Sequence, residues 1–203
     1  MTTPFLYQPV YPWRVNQSFG ANTACYNPNT GKVVSCDGRH PPAGYRSVYS
    51  TMKGHNGIDA FALTWQRCYA AAMGVVIEKE TEPARGLGIG ILHEHEGKFY
   101  KTRYWHLAGI DVDMGEQVSA GQLIGYCDNT GYSSGTHLHF ELKEVDQFGN
   151  TLNPENGYKG AIDPKPLMFG TPAFKSGVGR MAIETTSAVL DSIADRLRGL
   201  RTG

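Results

Sequence analysis

Residues 133–142 read SSGTHLHFEL, and the two histidines in this stretch govern how the chain around them is read. On a β-strand, residues i and i+2 point to the same face, about 6.6 Å apart at ~3.3 Å rise per residue. As part of a strand, His137 and His139 therefore face one groove. The neighbouring sequence predicts such a strand. From His55 to about Leu167, short β-like runs follow one another: CYAAAMGVVIEKE (68–80), GIGILHEH (88–95), KFYKTRYWHL (98–107), QVSAGQLIGYC (117–127) and THLHFELKEV (136–145). Gly, Asp and Asn turns separate them. Several runs are apolar throughout, which fits antiparallel sheet buried on one or both faces better than β-α-β units. The expected fold class is mainly β, an antiparallel β-sheet groove with flanking loops and a C-terminal α-helix.

Outward from this core, residues 1–20 carry Pro4, Pro9 and Pro12 and predict an N-terminal edge strand of the same domain. Residues 21–54 hold Asn27-Pro28, Thr30-Gly31, Asp37-Gly38 and Pro41-Pro42, and predict a long loop excursion beside the groove. Loops of that length are usually functional or disordered. Residues 55–170 form the expected core, and 171–203 a linker and an amphipathic helix. In IETTSAVLDSIADRLRGL (183–200), Val189, Ile193, Leu197 and Leu200 share one stripe. Thr185, Thr186 or Ser187 can cap the helix, and Arg196, Arg198 and Arg201 complement its C-terminal end. Such a helix packs back on its own domain or docks on another subunit.

Lys plus Arg number 19 and Asp plus Glu 19, so the formal net charge is zero in 203 residues. That balance excludes a general polyanion binder, and no nucleic-acid partner is expected. With 40% hydrophobic and 19% charged residues, disorder is excluded for most of the chain; 25 Gly and 11 Pro favour a turn-rich β protein. No stretch approaches the ~18 apolar residues of a membrane span. The first residues, MTTPFLYQPVYPWRV, lack the basic start and apolar core of a secretory signal, so export by such a signal is not expected.

Cys25 and Cys36 bracket a turn-like YNPNTGKVVS, so a hairpin disulfide and two free surface thiols are both compatible with the sequence. Cys68 and Cys127 sit in apolar runs and read as small buried side chains.

Of seven histidines, four are informative. His55 opens HNGID, four residues before Asp59. On a straight strand these two would lie about 13 Å apart, but Asn56-Gly57 is a strong turn signal that can bring them together. His106 ends the aromatic run RYWH. Two imidazoles and a carboxylate, such as His55, Asp59 and His139, supply three zinc ligands and leave the fourth position open for water, as a catalytic site requires. Two histidines then remain beside the metal, more than a purely structural site needs.

GHNGIDAFA, YWHL, VSAGQLIGYCDNTGYSSGTHLHFEL and the closing AIDP resemble, in this order, the lysostaphin/LytM-type zinc metallopeptidases that cut peptidoglycan cross-bridges. The resemblance runs from about His55 to Leu167, with the strand ending at Ser18–Gly20 matching the family's N-terminal strand. It implies a LytM/lysostaphin catalytic-domain fold and one Zn2+ per chain. It makes His55, Asp59 and His139 the metal ligands, and His106 and His137 the catalytic pair. His137 is favoured as general base because its offset from His139 places it beside the metal. Tyr45, Tyr49 and Tyr104 are candidate substrate contacts. A histidine on the strand of His93 and His95 is common in the family without being a ligand; here His95 reads as structural and His93 as exposed. His40 has no evident partner.

The resemblance implies a zinc endopeptidase whose partner is the peptidoglycan cross-bridge peptide. A wall-cutting enzyme without a signal is expected to be a phage product. It would be a virion-associated tail peptidase, with the C-terminal helix contacting other tail proteins, or an endolysin held in the cytoplasm until lysis. The alternative is a structural tail component with a retained zinc site. A lipoyl- or biotinyl-type carrier is disfavoured because no modifiable lysine lies at the expected hairpin tip.

Overall fold

The computed structural model describes residues 2–170 and 188–199. Among them, ten strands join in one antiparallel sheet. Its centre is formed by β7 (Gly74–Glu82), β8 (Gly86–His95), β9 (Lys98–Ile110) and β12 (His137–Val145), the runs read as apolar from sequence. β8 and β9 are joined by a two-residue turn, Glu96-Gly97, with φ of 50° and 72°. Positive φ at both positions matches the twist of the flanking strands. β12 lies between β9 and β5 (Ile58–Phe61), and β1 (Val15–Gln17) forms the edge beyond β5. β10 (Gln117–Val118) closes the other edge on β7, while β11 (Leu123–Cys127) pairs with β6 (Arg67–Tyr69) and the end of β9. β13 (Ala161–Ile162) pairs with β12.

Leu138, Phe140 and Leu142 of β12 are fully buried against Tyr104, Ile89 and Ile91. Each such side chain contributes roughly 1.5–3 kcal/mol of burial free energy. The strand is thereby locked in one register, because a slip of one residue would expose all three. The opposite face is left to His137, His139, Glu141 and Lys143, which lie over Asp59, Trp105, Arg103 and Lys101 of the neighbouring strands. On that face Glu78 binds Lys101 Nζ at 2.6 Å and Arg103 Nε at 2.8 Å, forming a charged floor beside the histidines.

Two expectations are corrected. Residues 21–54 are not an irregular loop: β2 (Ala24–Tyr26), β3 (Val33–Ser35) and β4 (Arg46–Ser47) form a second sheet in the order β3-β2-β4. A Cys25–Cys36 disulfide, with Cα atoms 5.8 Å apart, closes the β2–β3 hairpin. Cys68 and Cys127 are free and buried.

The second correction concerns His93, which is buried, not exposed. Its Nδ1–H donates to Met73 O at 2.7 Å, and its Nε2 lies 2.7 Å from Thr102 Oγ1. His95 is the outer one of the pair, stacked on Phe5 with ring centroids 4.4 Å apart. His40 bonds Asp37 at 2.9 Å on the surface.

The expected C-terminal helix is α1 (Ala188–Gly199). It buries Leu190, Ile193 and Ala194, with Leu197 beside them, against Val75, Leu92 and Val145. Arg198 Nη1 donates to Gly115 O at 2.9 Å. The helix thus packs on its own domain, one of the two placements expected. The Val189 side chain, Leu200, Arg201, and the caps at Thr185, Thr186 or Ser187 lie outside the described residues. No helix among those described is long and apolar enough to cross a membrane.

Candidate metal centre

The β5–β12 pairing sets His139 directly opposite Asp59. His55 precedes β5 and is pinned from both sides: its N–H donates to Ala21 O at 2.8 Å, and its carbonyl accepts from Gly20 N at 2.7 Å. The intervening turn passes so close to β12 that a Cβ at Gly57 would lie 2.6 Å from Phe140 O and 2.9 Å from His139 Cε1. Glycine is what admits this approach. As a result His55 Nε2 lies 3.1 Å from Asp59 Oδ1, and His139 Nδ1 lies 2.9 Å from the same oxygen.

The hydrogen bonds on the far side of each ring fix the tautomers. His55 Nδ1–H donates to Ser18 O at 3.2 Å, and His139 Nε2–H donates to Glu141 Oε1 at 3.2 Å. Those acceptors carry no proton, so with both rings neutral the lone pairs of His55 Nε2 and His139 Nδ1 face each other at 2.9 Å, with Asp59 Oδ1 beside both. Three electron-pair donors converging in this way fit a small cation. Tetrahedral zinc with ~2.0–2.1 Å bonds separates its ligand atoms by about 3.3 Å. His55, Asp59 and His139 accordingly form a set that could hold a metal ion.

His137 and His106 stand beside this set. His137 Nδ1–H donates to Gly135 O at 2.8 Å, turning Nε2 to within 3.6 Å of Asp59 Oδ1. His106 Nδ1–H donates to Thr130 O at 2.6 Å. The two rings are 4.6 Å apart between centroids. His106 follows Trp105, which shares the face of His139, so simple alternation would aim it into the core. A bulge prevents this: the β8–β9 register slips between Leu87 and Ile89, and His106 adopts φ 63°. Extra residues of this kind redirect side chains near functional sites.

The electrostatics favour positive charge at the centre. Burial opposes ionisation of Asp59, but hydrogen bonds from His139 and His55 outweigh it and hold the carboxyl well below its usual range. Burial likewise opposes a charge on His139, yet its bonds to Asp59 and Glu141 lift it to about 9, so without a metal Nδ1 holds a proton toward Asp59 that a bound ion would displace. His106 moves the other way, to about 4, through burial first and the nearby His137 second, and so is neutral at pH 7.

The tyrosines separate. Tyr49 packs on His55 with centroids 5.6 Å apart and bonds the Gln17 side chain; burial, then Asp59, push its phenol up. Tyr45 is half-buried in the turn before β4, with its amide donating to Pro42 O at 2.9 Å. Tyr104 lies on the core face, opposite the histidines, which corrects its candidacy: it is fully buried, and its hydroxyl accepts from Ala71 N at 2.9 Å. Sequence reasoning missed Glu141 and Asn56. Glu141 was open to detection, since it stands at i+2 from His139 and must share its face.

Fold and site together define an antiparallel β protein with a His-Asp-His cluster on one face of its sheet. Residues 53–154, half of the chain, match the model of Peptidase family M23, and the chain belongs to that family. It is 42% identical over 88 residues to the peptidoglycan DD-endopeptidase ShyA of Vibrio cholerae, covering 43% of this chain and 20% of that protein. It is 32% identical over 124 residues to lysostaphin of Staphylococcus simulans, covering 61% and 23%. The chain therefore spans about a fifth to a quarter of these relatives. Among solved structures it resembles a zinc-containing peptidase from Vibrio cholerae (TM-score 0.52, 27% identity, 84% of this chain and 41% of that one). It also resembles LytU (TM-score 0.51, 27% identity, 76% and 83%).

Proposed function

We propose that this protein is a zinc-dependent endopeptidase that hydrolyses peptide cross-links in bacterial peptidoglycan. The observation that carries this reading is the convergence of lone pairs from His55, Asp59 and His139, with two further imidazoles at its edge. Membership of the peptidase family supports it, as do relatives described as a peptidoglycan endopeptidase and lysostaphin.

His55 through Nε2, His139 through Nδ1 and Asp59 through Oδ1 would hold the ion. Zinc held there supplies Lewis acidity, polarising a scissile carbonyl and acidifying water toward a pKa of ~7. With Nδ1–H of each ring committed to a carbonyl, His137 and His106 both present Nε2 as an acceptor. Either could therefore accept a hydrogen bond from a water molecule at the site. His137, nearer the Asp59 carboxylate, takes the proton as the water attacks the carbonyl carbon. The imidazolium so formed donates that proton to the leaving amine, and Asp59 offsets its charge meanwhile. Thr130 and Gly135 hold the two rings in place through their carbonyls.

The test is mass spectrometry of fragments from purified Gram-negative and Gram-positive peptidoglycans incubated with zinc-loaded protein. New amino and carboxyl ends within cross-links, absent after chelation, are expected. Intact walls of every type would overturn the reading and favour a structural role. The phage-tail assignment gains no support from α1, whose apolar face is buried on β7 and β8, so the proposal stops at the wall peptidase.

A further inference from the structure

Glu141 is fully buried and stands two residues beyond His139 on the same face of β12. One of its oxygens, Oε1, accepts from Asn56 Nδ2 at 2.6 Å and from His139 Nε2 at 3.2 Å. Arg85 Nε is 3.8 Å from that oxygen, and Lys143 Nζ is 3.8 Å from Oε2. Asn56, also buried, lies between His55 and Gly57. A single carboxylate thus links the turn that carries His55 to the strand that carries His139.

A buried carboxylate is costly, and an apolar side chain would fill the same space more cheaply. What an apolar residue would not supply is an acceptor for His139 Nε2–H. Without it the ring is free to flip or to move its proton to Nδ1, the atom facing His55 and Asp59. Acceptors behind metal-binding histidines fix the tautomer and raise ligand basicity. The amide of Asn56 adds a second anchor, holding the carboxylate in place from the β5 side.

We infer that Asn56 and Glu141 form a positioning relay that holds the His139 imidazole with Nδ1 directed at the metal. The inference rests on the reading of His139 as a ligand. Neither residue touches substrate; both act through His139.

The test is zinc affinity by competition with a chromogenic chelator, for wild type, Glu141→Leu, Glu141→Gln and Asn56→Ala, with thermal unfolding of the metal-free proteins alongside. Glu141→Leu is expected to weaken zinc binding by about 10- to 100-fold. Asn56→Ala, which keeps the carboxylate, is expected to weaken it by about 3- to 10-fold on the same basis. Glu141→Gln restores a neutral acceptor and is expected to recover a large part of the loss, which a purely structural role would not require. Wild-type affinity in both Glu141→Leu and Asn56→Ala, or equal losses in the Gln and Leu variants, would overturn the relay while leaving the metal site intact. A wild-type protein that binds no zinc would overturn both. Should Glu141→Leu fail to fold, Asn56→Ala against Glu141→Gln decides.

Discussion

His93 sits on the core face of β8, fully enclosed, donating from Nδ1 to Met73 O and facing Thr102 with Nε2. Burial depresses its pKa from 6.5 to about 4, against a smaller opposing contribution from the Met73 carbonyl. The unfolded chain therefore takes up a proton near pH 6.5 and the folded chain only near pH 4. Between these values the unfolded state binds more protons, so stability is full above pH 6.5 and falls as pH drops toward 4. At pH 4.5 the loss from this single group is about 2–3 kcal/mol, using ~1.4 kcal/mol per pKa unit. The comparison is urea unfolding of chelated wild type and His93→Asn at pH 7.5 and pH 4.5. Asparagine keeps a neutral donor toward Met73 and does not titrate, so its packing cost is the same at both values. Wild type is expected to lose about 2–3 kcal/mol more than the variant on acidification. Equal losses would refute the reasoning, because the other titrating groups are shared by both proteins.

Gly57→Ala places a methyl group against Phe140 O and the His139 ring. It is expected to cost about 1–3 kcal/mol of stability by thermal unfolding and to weaken metal binding as β5 shifts from β12. Cys25→Ser removes a bridge across 11 positions. It is expected to cost about 3 kcal/mol in the chain-entropy model, read by chemical unfolding under non-reducing conditions. Phe140→Ala, which empties a fully buried site beneath β12, is expected to cost about 3–5 kcal/mol by the same assay.

Much of this architecture is legible in the sequence, for identifiable physical reasons. The period of two in a strand puts His137 and His139 on one face, and Asn56-Gly57 predicts the turn that folds His55 back toward Asp59. Those short-range rules suffice because the gathered residues lie on two adjacent strands. Three features were hidden. Strands of two and three residues in 21–54 carry too little periodicity to distinguish a small sheet from a loop, and β3 pairs through only Val33, Val34 and Ser35. In β8 both faces are covered near His93, by the core on one side and by α1 over Leu92 on the other. Burial there cannot be read from alternation. His106 reaches His137 through a bulge and a left-handed backbone, neither of which its sequence signals. Glu141 obeys the same rule as His139, but a lone carboxylate in a strand reads equally well as a solvated charge.

In the proposed site three residues would hold the ion, His55, Asp59 and His139, and two, His137 and His106, would work the bond. Zinc content by elemental analysis and cross-link cleavage rates, measured on wild type, His139→Ala, His137→Ala and His106→Ala, test that division directly. One zinc per chain is expected in wild type, His137→Ala and His106→Ala, with cleavage in these two variants slowed by about 10²- to 10⁴-fold. His139→Ala is expected to lose the metal together with activity. Equal metal loss in His137→Ala and His139→Ala, or undiminished cleavage without His137, would rule this division out.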